Sequence, residues 1–153
     1  MHPLLQRKGA RPTTAESGPH AQLTDQSSPE IWNSLISEAL NFPHVIEGRS
    51  SVSMATTRAL LFDDKTTILN PETSLSPHEP LEPVHIHDVT DTSLHMCLPK
   101  ERTEEVCELG WGERHPFADF DTQIMVYGPR DAEELRLVLE LVKESLSYAR
   151  QEN

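Results

Sequence analysis

Residues 84–96 read V-H-I-H-D-V-T-D-T-S-L-H-M and decide how the middle of this chain folds. Apolar and polar side chains alternate at both ends of the stretch, which is typical of two half-buried strands joined by a turn. Because successive side chains of a strand point to opposite faces, Val84 and Ile86 share one face, and His85 and His87 share the other. The stretch therefore predicts a β-hairpin with one apolar face and one histidine-bearing face.

The five-residue connection from Asp88 to Thr92 sets the register of this hairpin. If the apolar side chains of both strands face one core, His85 lies opposite His95. Directly opposed Cβ atoms sit roughly 4.5–5.5 Å apart. With His87 on the same face, the sequence predicts three imidazoles on one side of a sheet, two of them next to each other.

Helical patterns flank the hairpin on both sides. One helix begins after Ser28, a second spans residues 99–109, and a third begins at Asp131 with a capping-box pattern. Further strands are predicted at residues 44–52, 57–62 and 123–127. This order predicts an α+β single domain, with a mostly antiparallel sheet and helices packed on one face.

Two segments lack a regular apolar period. Residues 1–28 are rich in proline, glycine, serine and threonine, and they are expected to form a disordered N-terminal tail ahead of an α+β domain at residues 29–150. Residues 70–83 contain four prolines and predict a surface loop. A long loop in a compact domain is often functional, commonly as a lid over a site.

Composition narrows the classes of partner. The net charge of −12 argues against nucleic acid and against an anionic membrane surface. No apolar run approaches the length of a membrane span, and no secretory signal is recognisable, so a cytoplasmic protein is expected. Cys97 and Cys107 lack C-x-x-C spacing and are interpreted as reduced thiols.

Four of the eight histidines stand at positions 85, 87, 95 and 115. Imidazole ionises near neutrality, so such a cluster could hold protons, a metal or a small polar substrate. Three interpretations stay open. The histidines could lie on the solvated face of an antiparallel sheet, line a pocket, or bind a transition metal through His85, His87 and His95.

The motif G-W-G-E-R-H-P at residues 110–116 predicts a rigid loop. The two glycines permit positive φ on both sides of Trp111, and Pro116 restricts His115 to an extended backbone. Such a loop could present Arg114 and His115 to a ligand. Alternatively, it connects a helix to a strand while Trp111 fills the core.

The motif Y-G-P-R at residues 127–130 joins a strand to the last helix. Arg130 in this turn has two interpretations that the sequence does not separate. It could bind an anionic oxygen of a ligand, or it could pair with Glu133 or Glu134 at the start of the helix.

Three runs of sequence carry a resemblance to a known family. They are H-I-H-D-V-T-D-T-S-L-H-M-C-L, E-E-V-C-E-L-G-W-G-E-R-H-P and V-Y-G-P-R-D-A-E-E-L-R-L-V-L-E-L-V. In order and spacing they resemble the luciferase-like domain family, which includes the fungal luciferases, over residues 50–148. The matching positions of that family are His85, His95, Gly110, Trp111, Gly112, His115, Pro116, Tyr127, Pro129 and Arg130. His87 and Arg114 match the fungal luciferase pattern in particular.

The resemblance implies a small-molecule enzyme of secondary metabolism. The fungal luciferases oxidise a hydroxylated styryl-pyrone with O₂, and the resemblance implies that no added organic cofactor or metal is needed. We therefore expect acid-base catalysis on an enolisable or phenolic metabolite, including cofactor-free oxygenation. His85 or His95 would be the general base, and Arg114 with His115 would stabilise an oxyanion. The expected substrate-binding residues are His87, Trp111, Tyr127 and Arg130.

Three alternatives stay open beside this expectation. The same residues could serve a cofactor-free isomerase, dehydratase or cyclase. A transition metal held by His85, His87 and His95 would make the chain a metal-dependent enzyme instead of one without a cofactor. The domain could also be a non-catalytic binding module.

Overall fold

The computed structural model describes residues 3–152 and has the α+β architecture that the sequence predicts. The helices are α1 (Pro29–Ala39), α2 (Lys100–Glu108) and α3 (Ala132–Ala149). The strands are β1 (Val45–Arg49), β2 (Arg58–Phe62), β3 (Val84–Ile86), β4 (Leu94–Cys97), β5 (Gly112–Arg114) and β6 (Gln123–Val126). Within residues 3–152 every helix is too short or too polar to cross a lipid bilayer.

The six strands form one sheet in the order β1-β2-β3-β4-β6-β5, and each neighbouring pair is antiparallel. Strand β5 falls where the sequence predicted a rigid loop. Its three residues pair with β6, so that Glu113 lies opposite Met125. A strand this short that begins with glycine has no alternating pattern to reveal it.

The three helices pack on one face of the sheet, as predicted. Ser28 Oγ accepts a hydrogen bond from the Ile31 N–H at 3.2 Å and caps α1, while Asp131 caps α3. The apolar face of the hairpin meets the apolar stripes of these helices in the core. Fully buried members of this core are Leu35, Val84, Ile86, Leu94, Met96, Val106, Ile124, Val126, Val138 and Leu141.

Residues 3–28 pack against the rest of the domain, which differs from the disordered tail that the sequence predicts. Leu4 contacts the hydrophobic core, and residues 19–23 line a cavity on the other side of the sheet. Gln22 is buried and its Oε1 accepts a hydrogen bond from the Gly128 N–H at 2.9 Å. The Ser27 N–H donates to Thr92 Oγ1 at 2.9 Å. Polar contacts of this kind hold the later part of the segment. Because hydrogen bonds need no regular spacing of apolar residues, the sequence shows no periodic pattern there.

Candidate functional site

The register of the sheet builds the site, and it is the register that the hairpin predicts. His85 of β3 lies opposite His95 of β4. The next strands continue the same row, with Met125 of β6 opposite His95 and Glu113 of β5 opposite Met125. This row faces away from the helices, so the sheet presents imidazoles and a carboxylate to the space beneath the N-terminal segment.

The four predicted histidines come together around His95. Its ring centroid lies 5.2 Å from that of His85, 4.8 Å from that of His87 and 4.4 Å from that of His115. The exposed fraction is 3% for His85 and His95 and 7% for His87. The interpretation of these residues as a solvated sheet face is therefore wrong, because loops and the N-terminal segment cover this face.

A fifth imidazole, which the sequence gave no reason to include, completes the cluster. His20 is buried, and its ring centroid lies 5.1 Å from that of His95 and 5.3 Å from that of His115. Its Nδ1 is 3.0 Å from His95 Nε2. His20 belongs to a segment without periodicity or motif, so the sequence carries no signal that could have found it.

Two of the imidazoles contact carboxylates from nearby positions in the chain. His85 Nδ1 lies 2.7 Å from Glu82 Oε2, and His87 Nδ1 lies 3.1 Å from Asp91 Oδ2. Because an ionised carboxylate only accepts hydrogen bonds, each Nδ1 carries the proton of its ring. The lone pair of each ring is then on Nε2.

Glu82 is an unusual residue to find at this depth. Its exposed fraction is 1%, and it accepts hydrogen bonds from Ser50 Oγ at 2.7 Å and the Ser51 N–H at 3.1 Å. Burial alone would raise the pKa of Glu82, but the hydrogen bonds from His85, Ser50 and Ser51 outweigh burial and lower it. Glu82 is therefore an ionised partner for His85.

A third carboxylate holds His20. His20 Nε2 lies 2.8 Å from Glu113 Oε2, and the Tyr127 hydroxyl donates to Glu113 Oε1 at 2.8 Å. Thr14 Oγ1 adds a hydrogen bond to Oε2 at 2.9 Å. Burial opposes ionisation here too, yet these donors hold the pKa of Glu113 below its ordinary value.

Burial sets the charge of the imidazoles. It lowers the pKa of His85, lowers that of His95 well below the ordinary value, and lowers that of His115 to about 4. Repulsion between neighbouring imidazolium charges acts in the same direction at His95. At neutral pH these three rings are uncharged, and each offers one donor and one acceptor nitrogen.

The imidazoles form the floor of a cavity of about 810 Å³. Its walls come from residues 19–23, 52–57 and 115–119, together with Leu75 and Pro77 of the loop for which the sequence suggests a lid. Exposed apolar side chains stand on these walls. They are Leu23, Val52, Met54 and Phe117. The cavity thus joins a polar floor to apolar walls.

Two predicted arginines lie outside this cavity lining. Arg114 is on β5 opposite Ile124, so strand alternation points it to the helix side, where it pairs with Asp121 at 3.2 Å. Arg130 binds Glu134 at 2.6 Å, the ion pair that was one of its two interpretations. Neither guanidinium is placed to contact a ligand on the histidine floor.

Two predicted aromatic residues also take other positions. Trp111 packs in the core and its Nε1 donates to the Leu5 carbonyl at 2.6 Å. Tyr127 is buried behind Glu113, to which it donates. Neither ring is part of the cavity lining: Trp111 fills the core, and the Tyr127 hydroxyl supports the carboxylate that holds His20.

Comparison with known proteins gives the same family as the motifs. Residues 80–145 match the family model of the Luciferase domain. The luciferase of Neonothopanus nambi is 37% identical over 73 residues, and the luciferases of Armillaria gallica and Armillaria mellea are 36% identical over 73 residues. These alignments cover 44% of this chain and 27% of each relative.

The chain therefore corresponds to little more than a quarter of the length of these curated relatives. No solved structure is significantly similar to it. The matched region contains the hairpin, the G-W-G-E-R-H-P motif and the Y-G-P-R turn, whereas His20 lies before it. Residues 80–145 thus match the Luciferase domain, the family that the three motifs resemble.

Proposed function

We propose that this chain is a small-molecule enzyme related to the fungal luciferases, which removes a proton from an enolisable or phenolic metabolite in the histidine-lined cavity. The family match and the luciferase relatives support an enzyme. One observation carries the proposal: five imidazoles, three of them backed by carboxylates, meet at the floor of one cavity. Burying polar groups costs free energy unless they are paired, whereas apolar side chains at these positions would carry no such cost.

The shape and polarity of the cavity support this substrate class. Its volume of about 810 Å³ suits a molecule with one or more rings. Apolar contacts from Val52, Met54 and Phe117 would cover the faces of such rings. The imidazole floor would meet a hydroxyl or carbonyl oxygen, which is the group that an enolisable or phenolic compound presents.

The proton acceptor is His85 or His95. The Glu82 carboxylate holds the proton of His85 on Nδ1, so Nε2 has a free lone pair directed toward His95. His95 lies between His85 and His20 and can pass a proton to either neighbour. A positioned general base accelerates such a step by about 10²–10⁴-fold.

His115 is suited to stabilise the oxygen anion that the deprotonation produces. Its Nδ1 accepts a hydrogen bond from the Phe117 N–H at 3.2 Å, so the neutral ring carries its proton on Nε2. That N–H group is a donor without a positive charge, and its ring stacks on His95 at a centroid distance of 4.4 Å. Donors fixed before the reaction begins are the most effective stabilisers of developing charge.

Oxygenation is the specific reaction that we propose for the anion. An electron-rich enolate or phenolate can react with O₂ without an organic cofactor, and the relatives are luciferases. Isomerisation, dehydration or cyclisation would use the same proton transfer and consume no O₂. Uptake of O₂ therefore distinguishes the two kinds of reaction.

A panel of hydroxylated pyrones and phenols tests the proposal. Each compound is mixed with the full chain while its absorbance and the dissolved O₂ are recorded. We expect at least one compound to turn over, and His85→Gln and His95→Gln to lower the rate about 10²–10⁴-fold. The matched control is His78→Gln, since His78 is exposed and outside the cavity lining.

Two results would contradict this proposal. Compounds that bind in the cavity with no turnover would indicate a binding module. Turnover that survives the double substitution of His85 and His95 would exclude these residues as the acid-base groups. In either case, circular dichroism of each variant separates loss of chemistry from loss of fold.

A further inference from the structure

A continuous row of polar contacts crosses the cavity floor from Glu82 to Glu113. It runs through His85, His95 and His20, with distances of 2.7, 3.1, 3.0 and 2.8 Å. Each contact needs one proton; with all three imidazoles in the neutral form they bring three protons, and the ionised carboxylates bring none. One of the four contacts therefore has two nitrogen lone pairs that face each other.

The carboxylates determine which contacts can be the unsatisfied one. His85 donates to Glu82 from Nδ1 and His20 donates to Glu113 from Nε2, so both turn a lone pair toward His95. The single proton of His95 can satisfy only one of them. If it lies on Nε2 and points to His20, then His85 Nε2 and His95 Nδ1 face each other 3.1 Å apart without a proton.

A cation bound by both nitrogens removes this conflict. Nitrogens that each lie about 2.0–2.1 Å from a tetrahedral zinc ion are themselves separated by roughly 3.3 Å, which is close to the observed 3.1 Å. An added proton would be the other remedy. It would place a positive charge among rings that are only 3–6% exposed, where a charge is costly.

His87 supplies a third lone pair beside these two. Its Nδ1 contacts Asp91 Oδ2 at 3.1 Å and Ser93 Oγ at 2.9 Å, and the Ser93 hydroxyl already donates to Asp91. The ring proton of His87 is therefore on Nδ1 and its lone pair is on Nε2. One nitrogen from each of His85, His87 and His95 can be chosen so that all three lie within 4.8 Å of one another.

We propose that His85 and His87 through Nε2, and His95 through Nδ1, bind one divalent transition-metal ion such as Zn²⁺, Co²⁺ or Fe²⁺. Three neutral imidazoles are a donor set that these ions accept. The remaining coordination positions face the cavity, where water or a substrate oxygen would bind. The proposal rests on the cavity of the proposed function and changes one role there: with the ion bound, His85 and His95 are ligands and not proton acceptors, and the ion holds the substrate oxygen.

Each of the three ligands already has the second hydrogen bond that metal-bound histidines require. His85 is held by Glu82, and His87 is held by Asp91. With the ion on His95 Nδ1, His95 Nε2 would donate to His20 Nδ1, because Glu113 holds the proton of His20 on Nε2. His20 is thus a positioning residue, which sets the proton of His95 without touching the metal.

A second trio in the cluster fits less well. His20, His95 and His115 also bring three nitrogens within 4.8 Å of one another. However, His115 Nδ1 accepts the Phe117 N–H, which leaves the ring proton on Nε2, the other nitrogen. His115 would have to give up this bond or this proton to become a ligand, whereas the lone pair of His87 is on Nε2, which is not used by its contacts with Asp91 and Ser93.

Cobalt binding to the full chain tests the site. The protein is made without a polyhistidine tag, treated with a chelator and titrated with Co²⁺, whose visible absorption reports the coordination geometry. We expect one Co²⁺ per chain and its displacement by one Zn²⁺. His85→Ala and His87→Ala should abolish this binding, whereas His115→Gln and the exposed control His78→Gln should retain it.

The positioning role of His20 has its own measurement. His20→Ala should keep the stoichiometry of one Co²⁺ but weaken its affinity by about 10–100-fold. His20→Gln carries a carbonyl acceptor for His95 and should recover part of the loss. Glu82→Gln removes the negative charge next to His85 and preserves the shape of the side chain. It should weaken the affinity for Co²⁺ by a similar factor.

Three results would overturn this assignment. They are the absence of stoichiometric Co²⁺ binding to the folded wild-type chain, full binding by the His85→Ala/His87→Ala double variant, and loss of binding in His115→Gln. None of these measurements uses a substrate. Metal binding can therefore fail while turnover of a pyrone or phenol persists, and it can succeed although no compound turns over.

Discussion

His20 Nδ1 lies 3.0 Å from His95 Nε2, although 75 residues separate them along the chain. This contact joins the N-terminal segment to the centre of the hairpin. Because Pro19, His20 and Gln22 also line the cavity, the segment is one wall of the site as well as a source of an imidazole. The site therefore depends on residues that precede the region matching the Luciferase domain.

Gln22→Ala should weaken the attachment of the N-terminal segment to the rest of the domain. The Gln22 side chain is 1% exposed, and its Oε1 accepts the Gly128 N–H at 2.9 Å while its Nε2 binds two carbonyl oxygens. Leaving a buried N–H group without a partner costs about 1–3 kcal/mol. We expect the free energy of unfolding, measured by urea denaturation, to fall by this amount.

Gln26→Ala is the matched control for that measurement. Gln26 makes longer contacts, at 3.3 Å to the Gln22 carbonyl and 3.4 Å to the Thr90 carbonyl. Its removal should change the free energy of unfolding by no more than about 0.5 kcal/mol. Equal effects of the two substitutions would show that the segment is not held through Gln22.

The part of the site that the sequence predicts is the part that strand alternation controls. The two-residue period separates Val84 and Ile86 from His85, and the length of the turn then sets His85 opposite His95. Both quantities are local and can be counted along the chain. This is why the hairpin, its two faces and the meeting of three imidazoles follow from the sequence.

The missed parts depend on contacts between distant segments. His20 reaches the site through hydrogen bonds that leave no periodic pattern, and Glu113 becomes its partner only once β5 pairs with β6. The same pairing explains why Arg114 lies outside the cavity lining, since a strand sends neighbouring side chains to opposite faces of the sheet and Glu113 faces the histidines. Family resemblance identified Trp111 as important, and the structure gives it a place in the core.

Gly112→Ala should damage the edge of the sheet. The sequence suggested a positive φ at both glycines that flank Trp111. In the structure Gly110 has a φ of 87°, whereas Gly112 does not have a positive φ. Gly112 is needed for close approach, because an added Cβ would lie 2.3 Å from the Met125 carbonyl oxygen. Relieving such an overlap costs about 1–3 kcal/mol.

Thermal unfolding followed by circular dichroism measures this effect, and Gly18→Ala provides the control. A Cβ at Gly18 would meet only the Phe117 ring, at 3.2 Å, and that ring is 61% exposed and free to move aside. We expect a clear fall in the unfolding temperature for Gly112→Ala and little change for Gly18→Ala. Similar temperatures for both variants would contradict the close-approach argument.

Cys97 should be inert to thiol reagents in the folded protein. It is fully buried, and burial raises the pKa of its thiol, so little of the reactive thiolate forms. With a disulfide reagent at about pH 8, close to the ordinary thiol pKa, we expect at most one thiol to react, that of the half-buried Cys107. Two thiols should react after unfolding in guanidinium.

Cys107→Ser isolates this prediction. The folded variant should show no reactive thiol, and the unfolded variant should show one. Rapid reaction of one equivalent with folded Cys107→Ser would mean that Cys97 is accessible, and the packing of β4 against its neighbours would need to be revised.

Tyr127 should make the protein less stable at alkaline pH. Burial, together with the Glu113 carboxylate beside its hydroxyl, raises the pKa of Tyr127 to about 12. The folded chain therefore keeps the phenolic proton above about pH 10, where an unfolded tyrosine loses it. The stabilisation is complete below about pH 10 and declines as the pH rises toward 12. Tyr127→Phe should remove this contribution to the pH dependence of unfolding.

The absorbance of tyrosinate measures this pKa directly. The chain has two tyrosines, and burial also raises the pKa of Tyr148, so Tyr148→Phe leaves Tyr127 as the only phenol that titrates. We expect its absorbance to rise with a midpoint near 12 in the folded variant and near 10 once the chain is unfolded. A midpoint near 10 in the folded variant would mean that the hydroxyl is solvated. Its hydrogen bond to Glu113, and with it the support behind His20, would then be absent.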